Sequence, residues 1–581
     1  MKSAIAHNTW LWAAMAVMLV GLGFGIGGYP LLDPDEGRNA EIAREMAATN
    51  DYVVPRLNGL PYADKPILYF AAGAAMMEIL GPTELAARLP SLVFTCATLM
   101  LVGWFGRRVL GPAGGLIAVV ATGAAPLTLA FARTVIFDSA LTFFVTLSIV
   151  GFYMAAEVPR APSDDTDRAH AARWIAIAWA ALALGVLTKG LIALGLPLMV
   201  MVPYLGWRRR WDALWDPIAV LLFIALLLPW LLAMSRAVPG FLQYAIVTET
   251  ALRFATDQLG RTAPIWYFFP ILLAGSLPWS LAVLGAWRRG TPERDATGKM
   301  DRRLVLLLLW ILVPLLFFTL SQSKRPHYVL PLIPAIGLLL ALFWSGKTAH
   351  APGTRASAVG LGVCGAVLLA APRIVGALLD VDDAVARAIP GTGIALGSMC
   401  FISGLVTFFA GRRRNLAVLA LCLPVASIPF VSTRLMDAIG PDRSTRDLAT
   451  AVQAVLTRES EIVAIESYPL SLPFYLRRTM LVATADGSEL TSNYLKATYS
   501  HWAAAPDTPL RPVDWWFDAL AACRRPLVFV VRSDDTRVRA QLDPILPLIA
   551  ETRKVAAYGP CGMTGLATQR PGLAAAKPSA D

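Results

Sequence analysis

The stretch that decides the fold follows the first apolar segment and reads Asp33-Pro34-Asp35-Glu36-Gly37-Arg38-Asn39-Ala40-Glu41-Ile42-Ala43-Arg44-Glu45-Met46. This acidic motif, residues 33–46, places three carboxylates within four residues at the end of a segment apolar enough to lie in a membrane. Charged groups beside hydrocarbon are costly unless they are solvated, paired or used in function. The motif therefore marks the first position where the chain has to meet water or perform chemistry.

The composition is that of a multi-span membrane protein. Of 581 residues, 56% are hydrophobic and 16% are charged, whereas soluble domains carry about 25% charged residues. As a helix, each long apolar segment can cover the roughly 30 Å of hydrocarbon in a bilayer. About 13 transmembrane helices are predicted, at residues 9–30, 84–105, 113–132, 139–157, 173–188, 190–206, 216–234, 264–286, 303–320, 327–345, 356–379, 391–410 and 416–434.

Basic clusters in the loops set the predicted orientation. Arginine-rich sequences occur at residues 106–108, 207–210, 287–289 and 411–414, and all four fall on one side of the predicted bundle. The positive-inside rule makes that side cytoplasmic. The net charge of +11 is therefore a topology signal rather than a nucleic-acid-binding footprint. The acidic motif is then predicted to lie on the outer face.

The C-terminal part of the chain differs from the rest. Residues 436–581 are polar enough and long enough for one soluble domain, so residues 1–435 are predicted as the transmembrane domain. Residues 461–465 and 526–531 are typical of buried strands, and helical patterns lie at 443–457 and 534–541. The fold class predicted is thus an α-helical polytopic membrane protein with a C-terminal α/β domain on the outer face.

Two cysteines, Cys523 and Cys561, lie in this outer domain. In an oxidising compartment they could form a disulfide. Sequence alone leaves the pairing open, because it does not show whether their Cα atoms approach closely enough.

Common nucleotide and metal motifs are absent from the sequence or lie in the wrong context. The glycine-rich residues 23–28 fall inside an apolar segment with no preceding strand, so they predict close helix packing rather than a nucleotide loop. The sequence has no P-loop, no CxxC pair and no HExxH. Its five histidines show no clustered spacing, so it does not predict a zinc site of the usual kind.

The acidic motif has a structural interpretation as well as a chemical one. Asp33 can cap a helix, Pro34 can be its first residue, and Glu36 can complete a capping box. The helix would continue as an amphipathic helix at the membrane surface, within the first external loop at 33–80. Capping does not require Asp35, so Asp35 is the carboxylate predicted to act in chemistry.

Four more polar clusters share the predicted outer face. Charged side chains at the ends of membrane spans are costly if they face lipid, so a set on one side favours a shared site. The clusters are Ala63-Asp64-Lys65-Pro66, Arg133-Thr134-Val135-Ile136-Phe137-Asp138, Thr248-Glu249-Thr250-Ala251-Leu252-Arg253 and Ser323-Lys324-Arg325-Pro326-His327-Tyr328.

This arrangement favours chemistry on an anionic lipid. Cations at headgroup depth would hold a phosphate, since Arg binds phosphate as a fork and Lys as a point charge. Lys65, Arg253 and Lys324 are the cations predicted for that task, with Arg325 as a further option. A nearby carboxylate would accept a proton from an acceptor or orient it, and apolar walls would hold the lipid chain.

The motifs resemble those of a known family. The acidic motif, followed by Asn58-Gly59-Leu60-Pro61-Tyr62-Ala63-Asp64-Lys65-Pro66, resembles the membrane glycosyltransferases of the GT-C fold, and most closely the bacterial aminoarabinose transferases that modify lipid A. The resemblance covers residues 10–345, and three later motifs match in order. These are Leu187-Thr188-Lys189-Gly190, Pro264-Ile265-Trp266-Tyr267 with Pro278-Trp279, and Ser323-Lys324-Arg325-Pro326-His327-Tyr328.

The resemblance implies a polyprenyl-phosphate sugar donor, undecaprenyl phosphate, and transfer to lipid A at the periplasmic face of the bacterial inner membrane. It implies Asp35 as the principal catalytic carboxylate, with Asp138 as a second acidic residue and Glu36 beside them. The donor phosphate would be held by Lys65, Arg253 and Tyr328, to which the charge pattern adds Lys324. Residues expected to line or shape the cavity are Arg38, Tyr62, Arg133, Lys189, Glu249 and His327.

Two departures from the family pattern bear on the sugar. Gly37 stands where a bulkier residue is expected, and Arg325 follows Lys324 where an apolar residue is expected. No cofactor is required, although Asp35, Asp138 and Glu249 could converge on a divalent metal. The alternatives are another polyprenyl-phosphate sugar transferase, including one like the protein O-mannosyltransferases, or a transporter of a lipid-linked substrate. Transporters place their ionisable residues near the midplane, which argues against the last.

Overall fold

The computed structural model describes residues 8–159, 165–252, 263–288, 300–344, 351–378, 383–410 and 413–561. It divides into two compact units. The membrane unit contains the described residues of Met1–Tyr29, Lys65–Ala72 and Leu85–Ala438. The sheet unit contains those of Pro30–Asp64, Gly73–Glu84 and Ile439–Asp581.

The membrane unit is helical throughout its described residues. Its α-helices are Thr9–Gly23, Glu84–Gly123, Pro126–Ala132, Asp138–Glu157, Asp165–Lys189, Ile192–Arg208, Pro217–Ala237, Phe241–Gln243, Phe268–Gly275, Trp279–Trp287, Arg302–Leu320, Ile333–Trp344, Thr354–Leu378, Asp383–Phe409, Arg414–Val431 and Thr433–Arg443, the last ending in the sheet unit. A π-helix spans Tyr244–Leu252, and 3₁₀ turns span Trp211–Ala213 and Pro326–Leu332. The helix Leu68–Leu80 is divided between the two units.

Eight helices in the described ranges are long and apolar enough to cross a membrane, or nine if one bent pair forms a single span. The pair is Phe268–Gly275 with Trp279–Trp287, bent by 103°. The predicted polytopic helical fold is confirmed, whereas the number of about 13 spans stays a prediction. The counts differ partly because Gly111, at φ 83°, breaks Glu84–Gly123 into two parts that count as one helix. Other predicted spans, such as Thr9–Gly23, are short helices.

Close helix packing in the membrane unit depends on small residues and satisfied tryptophans. A Cβ added to Gly365 would lie 2.7 Å from the carbonyl oxygen of Gly397, so the helices Thr354–Leu378 and Asp383–Phe409 approach through glycine. The buried indole of Trp279 donates to the carbonyl of Ala124 at 3.0 Å, and that of Trp310 donates to Pro331 at 3.0 Å. Buried indoles need such a partner, and these bonds fix the helix positions.

The sheet unit is built on a six-stranded mixed sheet. Its strands are β3 (Glu461–Ile465), β4 (Leu481–Ala483), β5 (Leu510–Arg511), β6 (Leu527–Arg532), β7 (Leu548–Glu551) and β8 (Val555–Tyr558), in the order β5-β4-β3-β6-β8-β7. The first four are parallel, and β8 is antiparallel to β6 and to β7. Its helices and 3₁₀ turn are Asp35–Thr49, Arg446–Val455, Leu472–Leu476, Ser488–Leu490, Asn493–Ala497, Tyr499–Ala503, Trp515–Ala522 and Thr536–Leu542.

The core of this unit agrees with its sequence pattern. The run Leu527–Val531 is fully buried, as expected for a central strand with both faces covered. Phe529 and Tyr558 pack on one face of the sheet with Trp516. A disulfide joins Cys523 and Cys561, whose Cα atoms lie 6.1 Å apart, so the pairing that sequence left open is present.

The sheet unit also contains most of the first external loop. A two-residue hairpin joins β1 (Arg56–Leu57) to β2 (Leu60–Pro61) through Asn58 and Gly59. Both turn residues have positive φ, 56° and 77°, as the Asn-Gly hairpin turn requires. Asn58 is fully buried, and its amide exchanges two hydrogen bonds of 2.8 Å with the backbone of Met480.

The helix Asp35–Thr49 is held in the same unit by its first turn. Ser471 donates its hydroxyl to Asp33 at 2.8 Å, and the Asp33 amide donates to the carbonyl of Arg443 at 2.6 Å. A Cβ on Gly37 would lie 2.1 Å from Asp33 Oδ1 and 2.7 Å from the amide nitrogen of Ser471. Gly37, noted above as a departure from the family pattern, is therefore needed for this close approach.

These contacts differ from the predicted domain boundaries. The sequence assigned residues 33–80 to the transmembrane domain and began the second domain at 436, whereas Pro30–Asp64 and Gly73–Glu84 pack in the sheet unit, which resumes at Ile439. Long-range pairs such as Asn58 with Met480 are responsible, and composition does not reveal them.

Asn58→Ala is expected to destabilise the sheet unit by about 2–4 kcal/mol, because it leaves the buried Met480 groups unpaired and puts alanine, which tolerates positive φ less well than asparagine, in the turn. Asn58→Gly keeps the turn and loses only the amide, so its effect should be smaller. Thermal unfolding of the full chain in detergent should give midpoints that decrease in the order wild type, Asn58→Gly, Asn58→Ala. Equal midpoints for all three proteins would contradict the role of Asn58.

Asp33 makes stability depend on pH. Burial raises the pKa of Asp33 from 3.8 to about 7, and the hydrogen bonds from Ser471 offset only part of that. Because the folded pKa lies above the unfolded one, the unfolded chain loses this proton first, and stability falls as pH rises from about 4 to 7.

Asp33→Asn keeps an acceptor for Ser471 and removes the ionisation. The variant should therefore unfold at a higher temperature than wild type at pH 8, with the gap narrowing at pH 5. A midpoint difference that is independent of pH would contradict the shifted pKa of Asp33.

Candidate active site

The membrane unit contains a cavity of about 520 Å³ that combines charged groups with apolar walls. Its charged residues are two lysines and two carboxylates, Lys65, Lys189, Asp138 and Glu249. The remaining lining residues are mainly apolar: Leu141, Leu191, Ile192, Gly195, Met199, Phe317, Phe318, Ser321, Ser323 and Tyr328. Five of the residues predicted from sequence thus lie in one cavity.

The first ion pair joins Lys65 to Glu249. Lys65 Nζ lies 3.0 Å from Glu249 Oε2, and both side chains are mostly buried. Tyr244 donates its hydroxyl to the other oxygen of Glu249 at 3.3 Å. Tyr244 and Glu249 share the π-helix Tyr244–Leu252, where residues five apart stack on one face. Tyr244 was not predicted from sequence, because a five-residue spacing brings two side chains together only in a π-helix.

The second ion pair joins Asp138 to Lys189. Lys189 Nζ lies 2.5 Å from Asp138 Oδ1, and Asp138 is fully buried. Asp138 begins the helix Asp138–Glu157 and Lys189 ends the helix Asp165–Lys189, so each charge complements its own helix dipole. His327 Nε2 lies 3.9 Å from the second carboxylate oxygen, Oδ2. This second pair therefore comes from two helix ends rather than from helix middles.

Aromatic side chains close one wall of the cavity. Lys189 Nζ lies 5.3 Å from the ring centre of Tyr328, within the range of a cation–π contact. The ring of Tyr328 also packs against Phe318 and His327. Phe317 and Phe318 were not predicted from sequence, since they lie inside a predicted apolar span and have no charged neighbour to mark them.

Lys324 is not among the residues that line the cavity. Its side chain is 8% exposed, and its ammonium donates to the carbonyl of Ser321, just beyond the end of the helix Arg302–Leu320. A lysine in this position satisfies an orphan carbonyl at a helix C-terminus. Burial lowers the pKa of Lys324. The structure thus gives Lys324 a capping role, and its contact with donor phosphate stays a prediction.

Arg133 also has a structural task. Its guanidinium donates to the carbonyls of Leu22 at 3.0 Å and Phe24 at 2.7 Å, at the C-terminal end of the helix Thr9–Gly23. The hydroxyl of Tyr29 donates to the Arg133 carbonyl at 2.7 Å. Arg133 does not line the cavity, because the free carbonyls of that helix end hold its side chain. Arg253, the third predicted phosphate ligand, lies outside the described residues.

The acidic motif lies in the sheet unit, where its carboxylates have different environments. Asp35 is half exposed and pairs with Arg38 at 2.6 Å. Arg38 also donates to Thr491 at 3.2 Å and lies 6.0 Å from the ring centre of Tyr62. Glu36 is buried and accepts the backbone amide of Leu32 at 3.0 Å. The predicted capping box is not formed, because the helix begins at Asp35 after Pro34 without a side-chain cap and Asp33 is bonded by Ser471. Asp35 is the half-exposed carboxylate of this first turn.

The predicted metal-binding set receives no support from the structure. In the part of the chain that it describes, no three His, Cys, Asp or Glu side chains gather in a way that could hold a metal ion. Two of the three candidate ligands, Asp138 and Glu249, are instead engaged by lysines.

Relatives of known name share much of this sequence. The family model described as dolichyl-phosphate-mannose-protein mannosyltransferase matches residues 32–245. The undecaprenyl phosphate-alpha-4-amino-4-deoxy-L-arabinose arabinosyl transferase of Edwardsiella ictaluri is 32% identical over 394 residues, which cover 66% of this chain and 69% of that protein. The arabinosyl transferase 2 of Sodalis glossinidius is 33% identical over 316 residues, covering 54% of this chain and 56% of that protein.

The fold has a solved counterpart. The crystal structure of ArnT from Cupriavidus metallidurans bound to undecaprenyl phosphate matches with a TM-score of 0.80, covering 96% of this chain and 99% of that chain at 24% identity. The apo structure of the same protein gives a TM-score of 0.78. Taken with the Edwardsiella relative, the match of fold and sequence leads to one conclusion. This chain belongs to the undecaprenyl phosphate-alpha-4-amino-4-deoxy-L-arabinose arabinosyl transferase family and is a glycosyltransferase.

Proposed function

We propose that this enzyme transfers 4-amino-4-deoxy-L-arabinose from undecaprenyl phosphate to a phosphate group of lipid A. The names of its relatives supply the sugar and the lipid carrier. The observation that carries the proposal is the cavity of the membrane unit, in which two lysines meet apolar walls. A polyprenyl phosphate needs both features, since its headgroup is anionic and its tail is hydrocarbon.

The cavity is suited to exchange one anion for another. Lys65 is held by Glu249 and Lys189 by Asp138, so both ammonium groups are positioned before any substrate enters. A phosphate that takes over a lysine keeps that ammonium paired, and the displaced carboxylate then has to be solvated or protonated, because an unpaired buried charge is the main cost in such a site. We assign Lys65 to the donor phosphate, with Lys189 and Tyr328 beside it.

The proposed acceptor limits how much base catalysis is required. A lipid A phosphate is already anionic near neutral pH, whereas a sugar or protein hydroxyl needs a general base. Two phosphates that approach each other need cations to offset their repulsion. The proposal keeps Asp35 as the principal catalytic carboxylate, supported by the sequence motif and by its accessible pair with Arg38.

We also propose that the membrane unit spans a bacterial inner membrane and that the sheet unit, which contains most of the loop 33–80 and most of residues 436–581, is periplasmic. The basic loop clusters favour this orientation. The disulfide Cys523–Cys561 favours it independently, because disulfides persist in oxidising compartments.

A second candidate is a transferase with the same type of donor and a protein acceptor. The mannosyltransferase family model that matches residues 32–245 favours it. A protein hydroxyl would require Asp35 to act as a general base, so the identity of the acceptor separates the two candidates.

Expression of the wild-type chain in bacteria that lack this modification should add an aminoarabinose mass increment to lipid A, and Asp35→Asn should abolish it. Mass spectrometry of extracted lipid A measures the increment. Mass spectrometry of the protein fraction tests the second candidate, which would add the sugar to protein. Asp51→Asn, an external carboxylate that the hairpin residue Arg56 contacts, is the matched control and should retain transfer. A folded, expressed wild type that leaves lipid A unchanged would contradict the proposal.

Lys65→Ala should weaken binding of undecaprenyl phosphate by about tenfold to hundredfold, since it removes a charge-assisted contact. Glu249→Gln releases Lys65 from its carboxylate and should preserve or tighten binding. Titration of the purified protein with undecaprenyl phosphate measures both, with Lys496→Ala, exposed in the sheet unit, as the control. Weaker binding in Glu249→Gln than in Lys65→Ala would contradict this assignment.

A further inference from the structure

The sheet unit has a cleft of its own, of about 490 Å³, at one edge of the sheet. The parallel strands follow each other in space as β5-β4-β3-β6. From β3 the chain moves outward through β4 to β5, then returns to place β6 on the other side of β3. This reversal is a topological switch point, and in open α/β sheets ligands bind outside the carboxyl ends of the strands at that point.

The residues of the cleft come from this position. Glu466 to Leu470 directly follow the carboxyl end of β3, and Arg532 and Asp534 lie at the carboxyl end of β6. Segments 441–445 and 552–555 close the other sides, and Asp33 completes the lining. The volume falls within the range of about 300–1,000 Å³ that small-molecule sites occupy.

Cations form one part of the lining. They are Arg443, Arg532, Arg553 and Lys554. Arg532 is paired with Asp534 at 2.7 Å, and Arg553 lies 3.6 Å from Asp442. Among the residues that the structure describes, no salt bridge within 4 Å involves Arg443 or Lys554. These two side chains are therefore able to meet an anion without breaking a salt bridge of that length.

Hydrogen-bonding groups form the other part. Asp33, Glu466 and Glu489 supply carboxylates, and Ser467 and Tyr468 supply hydroxyls. Two lining residues have buried polar atoms with no hydrogen-bond partner, Oδ1 of Asp33 and the hydroxyl of Tyr468. A buried polar atom without a hydrogen-bond partner lowers the stability of the folded state by about 1–3 kcal/mol. This region of the sheet unit has two such atoms.

The chemistry of the lining selects the class of ligand. Carboxylates and hydroxyls suit the many hydroxyl groups of a sugar, and the cations suit a phosphate. The apolar lining is confined to Pro441, Pro469, Leu470 and Val555. Tyr468 is the single aromatic residue among the cleft-lining positions that the structure describes, and it is buried. The cleft therefore offers little platform for a nucleobase or a lipid chain.

We propose that this cleft is a binding site for a phosphorylated saccharide, in which Arg443, Arg553 and Lys554 meet the phosphate while Glu466 and Glu489 accept hydrogen bonds from sugar hydroxyls. The ligand class rests on the cleft alone. Its natural source rests on the proposed function, because the acceptor proposed there carries phosphorylated glucosamine. A soluble sugar phosphate presents the same chemistry.

The test measures binding to the full-length protein in nanodiscs of neutral phospholipid. The probes are N-acetylglucosamine 1-phosphate, N-acetylglucosamine and inorganic phosphate. Isothermal titration calorimetry measures the affinity of each. Wild type should bind the sugar phosphate at least tenfold more tightly than either of the other two. The double variant Arg553→Gln/Lys554→Gln should lose at least tenfold in that affinity.

Two further variants keep the result interpretable. Arg525→Gln removes an exposed arginine that pairs with Glu461 at the opposite edge of the sheet and should bind as wild type does. Arg443→Gln replaces the double variant if the latter unfolds early in a thermal scan, and it should weaken binding in the same direction. The proposal is overturned if wild type does not bind the sugar phosphate, if inorganic phosphate binds equally well, or if the cleft variants bind as tightly as Arg525→Gln.

A transfer assay with lipid A then separates the two sources. A raised KM for lipid A at unchanged kcat in the double variant supports the lipid headgroup as the occupant. An unchanged KM, with binding of the sugar phosphate lost, supports a soluble sugar phosphate. If wild type binds the sugar phosphate but transfers nothing to lipid A, the proposed function fails while the cleft assignment stands.

Discussion

Two lysine–carboxylate ion pairs in an apolar cavity are the constraint on which the rest of the membrane unit depends. A lone ammonium or carboxylate there would carry a large desolvation cost, so each charge has to arrive with its partner. Asp138 arrives at the start of one helix, Lys189 at the end of another, and Glu249 on a π-helix. The bundle must therefore bring several helix ends to one place. The same pairs fix the positions of two cations before a phosphate enters, which limits the reorganisation that binding requires.

The acidic motif shows how one stretch of sequence can serve structure and chemistry together. Asp33 accepts a hydrogen bond from Ser471, Glu36 accepts the amide of Leu32, and Gly37 allows the helix to touch the backbone of Ser471. Glu45 accepts the amides of Asn58 and Gly59, at 2.5 and 2.8 Å. Most of the carboxylates in the motif thus fasten the first external loop within the sheet unit. Asp35, paired with Arg38 and half exposed, is the member best placed for chemistry.

The features predicted correctly from sequence are those that the local pattern of residues controls. The sequence predicted the strand 461–465 without error and the next central strand to within one residue, because both are short buried apolar runs. It also selected Lys65, Asp138, Lys189, Glu249 and Tyr328, which the structure gathers in one cavity. It could not foresee that Arg133 and Lys324 would be taken up by backbone carbonyls at helix ends. The sequence also does not reveal that Asn58 forms hydrogen bonds with Met480, 422 residues away. This contact places the loop in the sheet unit.

The central claim is that the cavity of the membrane unit holds the donor phosphate by exchanging it for a carboxylate. The most direct measurement is an experimental structure of this protein in complex with undecaprenyl phosphate. The account predicts the phosphate within hydrogen-bonding distance of Lys65 Nζ, with Glu249 displaced from that lysine and the polyprenyl chain along Phe317 and Phe318. A phosphate bound elsewhere, with the Lys65–Glu249 pair intact, would contradict it.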